Sequence, residues 1–136
     1  MSRPTASAKQ KFKRQLKKLT DRKRSGSLDE IISSINQYTQ GWINYYKKGE
    51  LKAFLAKQMT HLRRRLRALI WKRWKKVSTK YRQLKARGAS HREAMTYANS
   101  RKSYWRISES KLLHRIFTKE KFKQWKLKDF IEILEK

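Results

Sequence analysis

Basic side chains and flat aromatic rings alternate most densely between residues 63 and 82 of the chain. Arginine neutralises phosphate and can stack on an exposed base, and tryptophan offers a surface for an unpaired nucleotide. The cations of this segment repel one another, and no acidic residue among them offsets that repulsion, so a phosphate-bearing ligand would stabilise the segment. The residues predicted to contact nucleic acid here are Arg63, Arg64, Arg65, Arg67, Trp71, Lys72, Lys75, Lys76 and Arg82.

Four of these residues, Arg64, Arg67, Trp71 and Lys75, recur at steps of three and four. That spacing places them on one side of a helix, opposite its apolar stripe. We expect RNA to lie along this side, which is called the basic ridge below. The alternative for the tryptophans at 71 and 74 is that their rings pack against the helices that follow, while the cations form a solvated face.

A second group of cations lies in the polar and aromatic segment 99–106, which has no clear helical period. The cations predicted to contact RNA from this segment are Arg101, Lys102 and Arg106. Alternatively, the segment is a structural loop that Tyr104 and Trp105 hold in place.

The residues needed for side-chain catalysis do not form a recognisable pattern. Catalysis of this kind requires a nucleophile beside a base, paired carboxylates or a metal cage. The chain has ten Asp and Glu, no Cys, three scattered His without metal-ligand spacing, and no glycine-rich phosphate loop. We therefore predict no catalytic residue, no metal site and no cofactor.

The composition combines a large positive charge with enough apolar residues for a core. The 136 residues include 38 Lys and Arg against 10 Asp and Glu, a formal net charge of +28, yet 38% are hydrophobic and five are Trp. A polyanionic partner would relieve the repulsion, so nucleic acid is the leading partner and an anionic membrane surface the second. The chain has no apolar run of the roughly 20 residues that span a bilayer, and no signal-peptide pattern. We expect no membrane partner, no secretion, and a cytoplasmic or organellar location.

Hydrophobic periodicity predicts an all-α fold, with a single helical domain of six to eight helices over residues 9–136 and a disordered leader over 1–8. Capping-box patterns at Ser27 and Ser90 mark the starts of two helices. The helices are expected at 9–19, 28–49 with Gly49 as a left-handed cap, 50–76 and 78–87 with Gly88 as its end, then after Ser90 and near Ser110, Thr118 and Asp129.

The second of these helices carries the longest apolar stripe, and Trp42, Tyr45 and Tyr46 are expected to complete it in the core. Gly41 costs about 1 kcal/mol relative to Ala inside a helix. It is therefore predicted to permit the close approach of another backbone at a helix crossing.

The segment Gly41-Trp42-Ile43-Asn44-Tyr45-Tyr46 resembles the Gly-Trp-x-Asn-Tyr signature of the group II intron maturase-specific domain. Three further motifs follow in the order and at the spacing of that family, so the resemblance covers about residues 10–125. They are Ile70-Trp71-Lys72-Arg73-Trp74-Lys75-Lys76, Tyr81-Arg82-x-Leu84 with Gly88, and Ala98-Asn99-Ser100-Arg101-Lys102-x-Tyr104-Trp105-Arg106-Ile107.

The resemblance implies a helical thumb region that follows the palm of a reverse transcriptase and binds intron RNA. In the family this binding assists folding of the intron, whose RNA performs the splicing steps, and it supports reverse transcription during mobility. By carry-over, residues 63–76 and 101–106 would face RNA or the primer–template duplex. The residues expected to be mainly architectural are Gly41, Trp42, Asn44, Tyr45 and Trp105.

The sequence departs from the family at Gln40, where Arg is frequent, and at Ser103, where Gly is frequent. It also has neither the Tyr-x-Asp-Asp palm motif nor a Cys-bearing HNH endonuclease, so a binding role without catalysis is expected. The alternatives are a general basic nucleic-acid-binding or ribosomal-protein-like structural protein, and a helical subunit that docks onto a separately encoded reverse transcriptase palm.

Overall fold

The computed structural model describes residues 4–47 and 49–136, and within these ranges all regular structure is helical. The predicted all-α class is confirmed, with nine α-helices in the described part where the sequence predicted six to eight. They are α1 (Ala6–Leu19), α2 (Leu28–Tyr45), α3 (Lys52–Arg73), α4 (Val77–Ala86), α5 (His91–Ala98), α6 (Tyr104–Ser108), α7 (Lys111–Ile116), α8 (Lys119–Gln124) and α9 (Phe130–Glu135), with a 3-10 turn at Gly49–Leu51 before α3.

The contacts group these helices into two compact units. Unit 1 comprises Met1–Arg63 and Phe122–Lys136, and unit 2 comprises Arg64–Lys121. Helix α3 is continuous through the boundary, so its first part belongs to unit 1 and its last ten residues belong to unit 2.

The core of unit 1 is built around the fully buried ring of Phe12 on α1. Its centroid lies 4.5 Å from Trp42 and 5.9 Å from Tyr38 on α2, 5.8 Å from Phe54 on α3 and 5.7 Å from Phe130 on α9. Aromatic pairs at such distances contribute about 0.5–1.5 kcal/mol beyond their buried area. One ring therefore ties together four segments of the unit.

The turn that leads into α9 is fixed to α2 by a single amide. Asn36 donates from Nδ2 to the carbonyl of Lys126 at 2.7 Å, and its Oδ1 accepts from the backbone N–H of Lys128 at 2.9 Å. Lys126 itself has a φ of 69°, which non-glycine residues rarely adopt. The two bonds compensate for that conformation and position the start of α9, where Asp129 caps the helix by accepting from Ile131 N–H.

The core of unit 2 forms around the last part of α3, in which residues 66–71 are all buried. Helices α4 and α5 pack closely against each other, joined by a turn in which Gly88 has a φ of 99°. The predicted capping box at Ser90 is present, with Ser90 Oγ accepting from Glu93 N–H and the Glu93 carboxylate accepting from Ser90 N–H. The predicted helix end at Gly88 and the following helix start are confirmed.

Three predicted boundaries were wrong. Helix α1 begins at Ala6, because the side chain of Thr5 caps it, so residues 6–8 of the predicted leader are helical, and its residues 1–3 lie outside the described residues. Helix α2 ends at Tyr45 with Tyr46 as its cap, so Gly49 does not end it. Part of the segment predicted as a loop is α6, which Ser103 caps by accepting from Arg106 N–H.

The salt bridge between Glu93 and Arg115 makes the stability of unit 2 dependent on pH. Hydrogen bonds from Arg115, at 2.7 Å, and from the backbone of Ser90 hold the pKa of Glu93 at about 2, below its usual value of 4.5. Because the pKa is lower in the folded state, this contribution is complete above about pH 4.5 and is lost as the pH falls through about 2.

We expect the stability difference between the wild type and Glu93→Gln to be constant near neutral pH and to disappear at about pH 2. Gln retains the capping geometry, so the difference isolates the charge. Denaturant titrations of both proteins across this range measure it. A difference that does not change between pH 5 and 2 would show that the carboxylate charge has no such role.

Candidate nucleic-acid interface

The basic ridge predicted from the sequence is not a continuous surface, because two of its four members are buried. Arg67 is 5% exposed and Trp71 is 3% exposed. Arg67 donates from Nε and Nη2 to the carbonyl oxygen of Phe117 at 3.0 and 2.8 Å. The prediction of RNA contact by these two side chains was wrong, since α3 is covered on more than one side within unit 2.

The ring of Trp71 packs within unit 2, as the alternative interpretation of the sequence had it. Its centroid lies 6.0 Å from that of Trp74, and the ammonium of Lys80 lies 5.0 Å from it. Trp74 continues the stack to Phe117, with centroids 5.8 Å apart. These two tryptophan rings therefore pack within unit 2.

Arg63, which belongs to unit 1, is also buried, 7% exposed, and forms an ion pair with Asp129 of the same unit at 2.9 Å. Its predicted contact with RNA was wrong, because its guanidinium is used inside the fold. Arg65 is half-buried, so its side chain is only partly accessible.

Arg64 links α3 to α6 inside unit 2. Its guanidinium carbon lies 3.8 Å from the centroid of Trp105, and Nη2 donates to the Trp105 carbonyl at 3.1 Å. Nε donates to Ser108 Oγ at 3.3 Å, and Nη1 forms an ion pair with Glu109 at 2.5 Å. With its donors used in this way, Arg64 positions α6 and Trp105, and it is less accessible than predicted.

Within the segment 63–82, the exposed cations begin in the last turn of α3. Lys72, Arg73, Lys75 and Lys76 are all exposed between the last turn of α3 and the start of α4, and they are called the basic junction below. Sequence reasoning selected three of them and missed Arg73, which lies in the same run. The ammonium of Lys72 lies 5.1 Å from the ring centroid of Tyr104 on α6. The junction thus lies near an aromatic residue of the second predicted cluster.

The other predicted cations of unit 2 are accessible as well. Arg82 on α4 is exposed, as are the three cations of the segment before and within α6, Arg101, Lys102 and Arg106. Lys102 and Arg106 line a cavity of about 520 Å³. Seven of the twelve predicted RNA-contacting residues are therefore exposed, and all seven belong to unit 2.

The signature segment of α2 departs from its predicted architectural role. Trp42 packs against Phe12 as expected, but Asn44 is exposed and Tyr45 is 61% exposed. Ile43 is buried, and a residue two positions later projects about 200° around the helix from it. The prediction that Tyr45 belongs to the core was wrong for that reason.

Gly41 lies on the same exposed face, and among the described residues it has no neighbour within 4 Å of the position that a Cβ would occupy. No helix crossing occurs there, so that prediction was wrong. We expect Gly41→Ala to raise the free energy of unfolding by about 1 kcal/mol, because Ala is the better helix former and no contact opposes it. Thermal unfolding measures the change. A destabilised variant would show that α2 is not a regular, uncovered helix at this position.

The described residues include no group of three or more His, Asp or Glu that could hold a metal ion. His114 Nε2 lies 3.9 Å from Glu109, and burial lowers the pKa of this histidine, as does the nearby cation of Arg67. Among the described helices, none has the length and apolar character needed to cross a membrane.

Comparison with known families gives one match. The family model described as the group II intron, maturase-specific domain matches residues 9–88, which include most of α1, all of α2 to α4 and the basic junction. No curated protein matches the chain. The matched family is the maturase-specific domain and not the catalytic palm of reverse transcriptases, and no catalytic family is indicated. Because the match extends over more than half of the 136 residues, the chain belongs to the group II intron maturase-specific domain family.

Proposed function

We propose that the chain binds group II intron RNA and assists its folding and splicing, with the basic junction as its principal phosphate contact. The observation that carries this proposal is the membership of the maturase-specific family together with the four exposed cations of the junction. The intron RNA performs the bond exchanges, and the protein contributes binding energy to its folded form. The proposed site of action is wherever that RNA is made, in the bacterial cytoplasm or an organelle.

The charge distribution supports contact through unit 2. Within Arg64–Lys121 the chain has 19 Lys and Arg against three Glu, and two of these carboxylates, Glu93 and Glu109, already form ion pairs with arginines. Three carboxylates can offset only a small part of the positive charge of this unit. Phosphates along an RNA backbone would neutralise several cations at once and release counterions, which makes such binding strongly dependent on salt.

A second role is favoured by the exposed face of α2. Gly41, Asn44 and Tyr45 form an uncovered surface on the signature segment. In this role the chain docks onto a reverse transcriptase palm and supports reverse transcription and mobility. A complex of one chain with such a palm that persists at high salt would support the role, because contact through uncharged side chains is less sensitive to salt than phosphate contact.

Equilibrium binding to two RNAs tests the proposed function. One is a group II intron RNA, and the other is an unrelated structured RNA of the same length, each measured from about 50 to 300 mM salt. We expect the intron RNA to bind more tightly by tenfold or more at the upper end, because shape-selective contacts persist when the phosphate contribution falls. Equal affinity for both RNAs at every salt concentration would contradict the proposal and would mean that the chain binds polyanions in general.

A further inference from the structure

The cavity in unit 2 has the dimensions of a ligand site. It lies between the end of α5 and the start of α7, beside the segment that leads into α6, and its volume is about 520 Å³. Binding pockets for small ligands typically have volumes of roughly 300–1,000 Å³. Its lining includes the half-buried Tyr97, the buried Ile107, two cations and one carboxylate.

The two cations are Lys102 and Arg106, and local hydrogen bonds set the backbone that carries them. The N–H of Lys102 donates to Ser100 Oγ at 3.2 Å, and the N–H of Arg106 donates to Ser103 Oγ at 3.3 Å. Both side chains are exposed, and neither makes an ion pair or hydrogen bond within the described residues. The cavity is therefore bordered by cations that remain available to an anionic group.

The carboxylate of Glu109 restricts which anion fits. One of its oxygens pairs with Arg64, and the other lies 3.9 Å from His114 Nε2, beyond hydrogen-bond distance. A free phosphate that filled the cavity would meet this acceptor-only group, whereas a ligand with an anionic end and N–H donors at its other end would satisfy both kinds of side chain. A nucleotide has those two ends and a flat ring for Tyr97.

We propose that this cavity takes one unpaired nucleotide of the bound RNA, with Lys102 and Arg106 at its phosphate, Tyr97 against its base and Glu109 accepting from an amino group of the base. This inference rests on the proposed RNA-binding function. Adenine, cytosine and guanine carry such an amino group. Uracil fits less well, because carbonyl oxygens flank its N–H and repel the carboxylate.

Hairpin RNAs that differ only by one bulged nucleotide test the proposal. We expect a bulged cytosine to increase affinity roughly tenfold over the fully paired hairpin, which corresponds to one stacked base. A bulged uracil should gain less. Fluorescence anisotropy at a single salt concentration gives the ratio of bulged to paired affinity. That ratio does not depend on the fraction of protein that is folded.

Two variants separate the roles of the lining residues. Glu109→Gln should remove the preference for cytosine over uracil, because an amide both donates and accepts. The double variant Lys102→Gln with Arg106→Gln should reduce the ratio of bulged to paired affinity to about one. A matched control with the same loss of charge is Lys85→Gln with Lys119→Gln, both exposed in unit 2 and outside the cavity. The control should weaken both RNAs alike and leave the ratio unchanged.

The outcomes also distinguish this inference from the proposed function. Tight binding with equal affinity for bulged and paired hairpins would overturn the inference and leave RNA binding intact. No binding to any RNA would overturn the proposed function itself. If free cytidine 5′-monophosphate binds as tightly as the bulged hairpin, the cavity takes a soluble nucleotide, and the assignment to an RNA strand is wrong.

Discussion

Trp71→Ala is expected to lower the free energy of unfolding by about 3–5 kcal/mol, the range for truncating a large aromatic side chain in a core. The ring is 3% exposed and packs beside Trp74, with the ammonium of Lys80 over its face. Removing the ring leaves a cavity beside α3 that the neighbouring residues can fill only in part. Urea denaturation of the purified chain measures the change.

The matched control is Lys75→Gln, one turn further along the predicted ridge. Lys75 is exposed, so its substitution should change the free energy of unfolding by less than about 0.5 kcal/mol. A Trp71→Ala variant as stable as this control, but weak in RNA binding, would place the ring on the binding surface and contradict its position in the structure.

Arg67→Ala is expected to lower the free energy of unfolding by about 3 kcal/mol, because it removes two charge-assisted hydrogen bonds and leaves a buried carbonyl without them. The guanidinium donates to Phe117 at 3.0 and 2.8 Å and is 5% exposed. The substitution disconnects α3 from the residue that follows α7. Denaturation under the same conditions as for Trp71 allows the two effects to be compared.

Arg67→Lys shows whether charge or geometry matters at this position. An ammonium on a flexible stem retains the charge but does not reproduce the two-pronged contact of a guanidinium. We expect Arg67→Lys to remain destabilised, while the RNA affinity of its folded fraction stays within about twofold of wild type, since the group is not at the surface. Wild-type stability with reduced RNA affinity in Arg67→Ala would mean that the side chain binds RNA.

Local signals in the sequence were sufficient for most helix boundaries of the fold. Ser90, Ser110 and Asp129 each cap a helix where the sequence predicted that a helix begins. A capping side-chain oxygen accepts from a free backbone N–H that is at most three residues away, so the local sequence is enough to predict it. Gly88 adopts the positive φ expected of a helix end. Helix α6 was missed because five residues are too few to show a helical period.

The burial of the predicted ridge could not be read from local spacing. Arg67 is buried where its guanidinium donates to the carbonyl of Phe117, which lies 50 residues further along the chain. An apolar stripe identifies one buried face of a helix, but it does not show that short helices will cover a second face that contains arginines. The same limit applies to Tyr45. Its aromatic ring suggested a position in the core, but α2 buries Ile43 and leaves Tyr45 exposed.

Three of the cations that the sequence selected near the end of α3 are exposed, and their contact with RNA stays a prediction. Lys72, Lys75 and Lys76 come at the end of α3 and directly after it, where the chain leaves the helix and the following helices do not cover them. A run of cations beyond the last apolar residue of a helix is the signal that separates them from Arg67. The proposed RNA contact therefore depends on the basic junction more than on the ridge.

The salt dependence of RNA binding by a junction variant tests that proposed contact most directly. Replacing Lys72, Lys75 and Lys76 by Gln should reduce the slope of log affinity against log salt by about two to three, roughly one for each phosphate that is no longer neutralised. The control variant replaces Lys11, Lys18 and Lys23, which are exposed in unit 1, and removes the same charge. We predict a flattened slope for the junction variant and a slope within about one of wild type for the control. Equal slopes for the two variants would contradict a principal role for the junction, because binding would then follow the net charge of the whole chain.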